Sequence, residues 1–106
     1  MAEGKIRVIV KRPDEKYGHV THMSNTLKAF QKAVDGYIET VRVGSALMIC
    51  NEEGHIKGLQ RNFTMGKFYK ETIRGAVVLV GTKGDEFTDC PISFDVWKMM
   101  LDKWDN

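Results

Sequence analysis

The chain has 106 residues, 42% of them apolar and 28% charged, with a net charge of +2; these are the proportions of one globular domain, residues 1–106, with a single core. No apolar run approaches the roughly 20 residues of a membrane span, and two cysteines do not make a disulfide framework. A strongly polarised nucleic-acid binder would carry a larger positive excess; here residues 57–74 hold five Lys/Arg against one Glu and residues 75–106 hold three against six, a segregation that suits a protein partner at least as well.

Met1-Ala2-Glu3-Gly4-Lys5 leads directly into a strand without the apolar region of a signal peptide, so a cytoplasmic protein with reduced Cys50 and Cys90 is expected. In Lys5 to Arg12, Ile6, Val8 and Val10 alternate with charged residues, the period of a half-buried strand. Pro13 to Lys16 is a turn, and Tyr17 to Met23 returns as a hairpin partner. Ser24 then offers an N-cap to a helix with Leu27, Phe30, Ala33 and Val34 on one stripe, closed by Gly36.

Tyr37 to Val43 reads as the next strand, and Gly44-Ser45 turns it into Ala46 to Cys50, apolar throughout and therefore central. Asn51 to Gly54 reads as a tight turn, followed by a short return strand and a tethered loop, Gly58 to Asn62. Residues 63–75 show no clear period. Ala76 to Val80 is a second apolar strand and Gly81 to Glu86 a loop. From Ser93 onward, Phe94, Trp97, Leu101 and Trp104 form the stripe of a final helix. The expected fold is α+β, a mainly antiparallel sheet of about five strands with two helices, in the order β-β-α-β-β-(loop)-β-α. Helices on one face would leave the other face partly apolar and open to a homodimer or partner.

Four places give the chain a family likeness. They are Gly36-Tyr37-Ile38-Glu39 after its helix, Cys50-Asn51-Glu52-Glu53-Gly54 with Lys57-Gly58-Leu59, Asn62, and Val80-Gly81 with Glu86-Phe87-Thr88. In this order and spacing, from about residue 25 to 90, they resemble a domain-of-unknown-function family of roughly 100-residue proteins from phages, plasmids and integrative elements. Gln60-Arg61 stand where that family often has prolines, which alters the stiffness and charge of the loop. The resemblance implies a mobile-element origin and, through it, modulation of host machinery such as restriction or CRISPR effectors. It assigns no activity and no cofactor.

Among candidate sites, Lys57 to Asn62 sets two cations and two amides around a glycine, able to hold a phosphate, a carboxylate or an acidic protein surface. Alternatively, Asn62 ties the loop to neighbouring backbone while Lys57 and Arg61 are merely solvated. Residues 61–74 interleave Arg61, Lys67, Lys70 and Arg74 with Phe63, Phe68 and Tyr69, the ingredients both of base stacking and of protein hot spots, or of aromatics packed inward beneath a basic rim. Gly81-Thr82-Lys83-Gly84 lacks the spacing of a phosphate loop. His19 and His22, three apart on a strand, point to opposite faces and do not converge on a metal. The carboxylates at Glu52, Glu53, Asp85, Glu86 and Asp89 fall in turns, and no nucleophile–base pair can be argued.

The expectation is a non-enzymatic accessory protein, without cofactor or metal, that inhibits a host defence nuclease or complex in the manner of an anti-CRISPR or anti-restriction protein. Its partner-binding residues would be Lys57, Arg61, Asn62, Lys67, Phe68, Tyr69, Lys70 and Arg74. Two alternatives stand beside it: a sponge that sequesters a nucleotide signal between subunits using loops 57–62 and 81–86, and a small nucleic-acid-binding protein.

Overall fold

A strand sends successive side chains to opposite faces, so a wholly apolar strand needs cover on both sides. The computed structural model, which describes residues 4–104, shows how that cover is supplied; the reading of Met1 to Glu3 lies outside the described residues. The elements are β1 (Lys5–Lys11), β2 (His19–Ser24), α1 (Leu27–Val34), β3 (Ile38–Val43), β4 (Ala46–Asn51), β5 (Arg61–Met65), β6 (Glu71–Arg74), β7 (Val77–Lys83), β8 (Glu86–Thr88) and α2 (Phe94–Lys103). The main sheet runs β2-β1-β7-β4-β3, antiparallel throughout, with β8 paired to the far end of β7; β5 and β6 form a separate hairpin.

The sheet splits the core into two layers. Ile6, Val8 and Val10 of β1, Ile49 of β4 and Val78 and Val80 of β7 pack beneath Phe30 and Val34 of α1. The alternate residues, Ile9, Met48, Cys50, Val77 and Leu79, face α2 and the β5–β6 hairpin, whose Phe63 and Ile73 join Trp97 and Leu101. The helices therefore lie on opposite faces, and the open apolar sheet face expected from the sequence does not exist. The reason is topological. Helix α1 connects β2 at one edge of the sheet to β3 at the other, crossing one face, and α2 returns over the face that remains.

Other expectations change as well. The described residues hold eight strands, because 63–75 is not irregular but contains most of the β5–β6 hairpin, and because β7 continues to Lys83 and turns through Gly84-Asp85 into β8. No strand forms between Asn51 and Arg61: residues 52–58 are a series of turns with Ile56 85% exposed. Ser24 pairs with Lys5 at the end of β2, and the helix cap is Thr26, whose side chain accepts the Ala29 N–H at 3.1 Å. The left-handed residue ending α1 is Asp35, one place before the expected glycine. Ser93 caps α2 as expected, accepting the Val96 N–H.

Several of the residues that carried the family likeness turn out to join these elements. Asn51, buried, donates to the Val34 and Asp35 carbonyls at 3.0 Å each and accepts the Glu53 N–H at 2.7 Å, so one side chain closes α1 and starts the turn after β4. A Cβ on Gly36 would stand 2.6 Å from the Asn51 amide nitrogen, which requires glycine there. At Gly81 a Cβ would strike the Asp89 carbonyl, because residues 89–90 wedge between β7 and the diverging start of β1, where Cys90 N–H donates to the Arg7 carbonyl at 2.8 Å.

Candidate functional site

The β5–β6 hairpin owes its geometry to a bulge. Arg61 faces Arg74, but Phe63 faces Ile73, so Asn62 is an extra residue in β5. A bulge turns two neighbouring side chains the same way, and here both Asn62 and Phe63 are buried. The Asn62 amide donates to the carbonyls of Lys11 and Gly75 at 2.8 Å each, and its oxygen accepts from the Lys11 ammonium at 2.5 Å. Lys11 is itself buried, with its ammonium 5.7 Å from the centre of the Phe63 ring. Burial pulls its pKa below the ordinary lysine value, with Glu15 partly offsetting that effect. Asn62 thus fastens the hairpin to β1 and to the turn before β7. Its polar atoms are committed inside the protein, as the structural alternative supposed.

The other sequence-derived candidates separate into three places. Arg61 and Arg74 face each other across the hairpin base on its outer side, where Arg61 donates to the Thr64 hydroxyl and Arg74 to the Leu59 carbonyl. Lys57 lies on the preceding turn, 3.8 Å from Glu53. Lys67, Phe68, Tyr69 and Lys70 form the tip beyond the last paired residues, Met65 and Glu71. Phe68 is 89% and Tyr69 95% exposed. Gly66 has φ +95°, and a Cβ there would run into the Tyr69 carbonyl, so glycine permits this tight tip. The basic residues therefore line a ribbon and its end rather than one compact patch, and the aromatics project from the end.

Sequence reasoning missed a groove beside this ribbon. Its volume is about 230 Å³ and it opens between β3, the turn after β4, and β6. Glu39, Glu52, Glu53 and Glu71 line it together with His55 and Arg74, and Val41, Cys50 and Ile73 form its apolar side. Burial, and then the carboxylates of Glu39 and Glu71, push the Cys50 thiol up to about 12. Burial also raises the Cys90 thiol. Both cysteines are free and protonated at neutral pH, which removes the thiolate that a nucleophile needs. A thiol reagent at pH 7.5 should leave both unmodified in the folded protein and label both in urea; fast labelling under native conditions would show that the groove floor is open.

Loops 57–62 and 81–86 lie toward opposite ends of the seven-residue strand β7, about 20 Å apart at the usual rise per residue. Within one chain they do not form a common phosphate site. His19 sits 2.7 Å from Glu15, and among the described residues no three His, Cys, Asp or Glu side chains gather as metal ligands would. No helix among the described residues is long and apolar enough to cross a membrane.

Fold and site together define a small α+β domain, covered on both faces of its sheet, that displays an aromatic-tipped basic hairpin next to an acidic groove. The chain belongs to the family described as Domain of unknown function (DUF3846), whose model matches residues 6–101. Comparison with curated proteins and with solved structures finds no match.

Proposed function

We propose that the chain is a non-enzymatic binding protein that captures a macromolecular partner with the β5–β6 hairpin. The two exposed aromatics of the tip carry this reading. A folded domain gains little by holding Phe68 and Tyr69 in water at 89% and 95% exposure, whereas aromatics that enter a partner's pockets dominate binding energy. Lys67 and Lys70 flank them, and Arg61 and Arg74 follow on the outer face, so the partner's surface is acidic or resembles nucleic acid. The mobile-element likeness of the sequence supports a host defence nuclease or its complex as that partner, in the bacterial cytoplasm, with the protein acting as an anti-CRISPR or anti-restriction inhibitor.

The test is a comparison of wild type with the double variant Phe68→Ala/Tyr69→Ala, each immobilised and exposed to bacterial host lysate, with mass spectrometry of what is retained. Hot-spot truncations cost about 2 kcal/mol or more each, roughly 30-fold per residue. The variant should lose the captured partner while keeping the wild-type melting temperature. Equal retention by both proteins would remove the tip from the mechanism. The opposed Arg61 and Arg74 favour a second reading, direct nucleic-acid binding, whose mark is affinity falling steeply with salt.

A further inference from the structure

We infer that the tip of one copy docks in the acidic groove of a second copy, forming a two-fold dimer. The two surfaces are complementary in charge. The tip presents Lys67 and Lys70 around two exposed aromatic rings, and the groove presents Glu39, Glu52, Glu53 and Glu71 around an apolar floor. Two basic side chains also line the groove: Arg74, which donates to the Leu59 carbonyl at 3.1 Å, and His55, 3.0 Å from the Thr72 carbonyl. Lys57 sits 3.8 Å from Glu53, so Glu39, Glu52 and Glu71 are the carboxylates that would meet a cationic tip. At about 230 Å³ the groove is smaller than the roughly 300–1,000 Å³ pockets that enclose drug-sized ligands. A side chain suits it better.

Placement supplies the symmetry. Glu71 of the groove follows Lys70 of the tip directly in the chain, so the tip begins where the groove ends. Phe68 and Tyr69, exposed as they are, do not fill the groove of their own chain. A two-fold axis passing near Glu71 sets each tip over the other copy's groove and closes the assembly at two chains. An aromatic side chain buries about 150–250 Å². One ring in each groove and the second against its rim, matched by the opposing surface and doubled by the axis, give at most roughly 1,200–2,000 Å², the size of a stable interface. The dimer that the sequence suggested for an open sheet face is thus relocated to the hairpin. Such a dimer hides the tip and competes with any foreign partner for it.

The inference does not depend on the capture reading, because its test contains only this protein. Sedimentation across a range of concentration should show wild type as a dimer in the micromolar range. Lys67→Glu/Lys70→Glu and Glu52→Lys/Glu71→Lys should each be monomeric, with dissociation constants raised at least about tenfold by like-charge contact. Their equimolar mixture should form a heterodimer, visible by native mass spectrometry, since both of its tip–groove contacts then join opposite charges. Circular dichroism matching wild type shows that the variants fold. A wild type that stays monomeric to about 200 µM, dimers that survive either charge reversal, or no heterodimer in the mixture would overturn the inference.

Discussion

Replacing Asn62 with alanine is expected to destabilise the protein by about 3–5 kcal/mol, a large share of the roughly 5–15 kcal/mol that holds a domain of this size together. Three groups lose their partner at once: the Lys11 and Gly75 carbonyls and the Lys11 ammonium. Leaving a buried polar group unpaired costs about 1–3 kcal/mol, and more when it is charged. Alanine supplies neither the donors nor the acceptor. Urea unfolding should show a lower midpoint with an unchanged slope. The cause can be separated with Lys11→Met, which takes away the stranded ammonium. It should recover part of the loss in the Asn62→Ala background, and the coupling between the two changes should exceed 0.5 kcal/mol, as it does for contacting residues. A cost under about 1 kcal/mol for Asn62→Ala, without coupling to Lys11, would mean that water already serves these groups.

The hairpin that Asn62 secures was the least legible part of the sequence. In an ordinary strand the apolar residues alternate, and β4 and β7 announce themselves by the unbroken apolar runs Ala46 to Cys50 and Val77 to Val80. In β5 the bulge turns Asn62 and Phe63 inward together, so the period of two disappears where the strand begins. The same geometry explains why Asn62 was ambiguous as a site residue. Asparagine is common both in ligand loops and in local backbone ties, and only the position of Lys11 and Gly75, distant in sequence, shows which role it has. Strand β8 was hidden for a different reason: with three residues it is too short to display any period.

The placement of the helices was a question of topology rather than pattern. The apolar character of β4 called for cover on both faces, and that reading conflicts with two helices on one face. Only the strand order resolves the conflict, by sending α1 across from β2 to β3. Composition did locate the basic and aromatic segment 61–74, but not its split into a buried half and a displayed half. Phe63 and Phe68 are the same residue type five positions apart, one fully buried and the other 89% exposed. The acidic groove was out of reach because its carboxylates come from β3, from the turn after β4 and from β6, and nothing local in the sequence joins them.

The packing of Phe63 leads to the second large effect, at Trp97. Truncating Trp97 to alanine should cost about 3–5 kcal/mol, the usual range for a buried aromatic. In a domain of about 100 residues that lowers the melting temperature by roughly 15–30 °C. Trp97 is fully buried and touches three otherwise separate elements. Its ring meets Phe63 edge-on at 5.6 Å and Trp104 edge-on at 6.0 Å, while Phe63 stacks on Trp104 at 6.0 Å. Its indole N–H donates to the Tyr17 carbonyl at 2.9 Å, beside a second link in which the Tyr17 hydroxyl donates to Asp102. One substitution therefore opens a cavity between α2, the β1–β2 turn and the hairpin. The hairpin should respond first, because Phe63 and Ile73 are its buried apolar side chains in this core cluster. Hydrogen exchange at β5 and β6 should then accelerate more than exchange at β4 and β7, and Trp97→Phe should restore much of the protection. Uniform acceleration across the sheet would show instead that hairpin and sheet open as a single unit, and the tip would then be only as rigid as the whole fold.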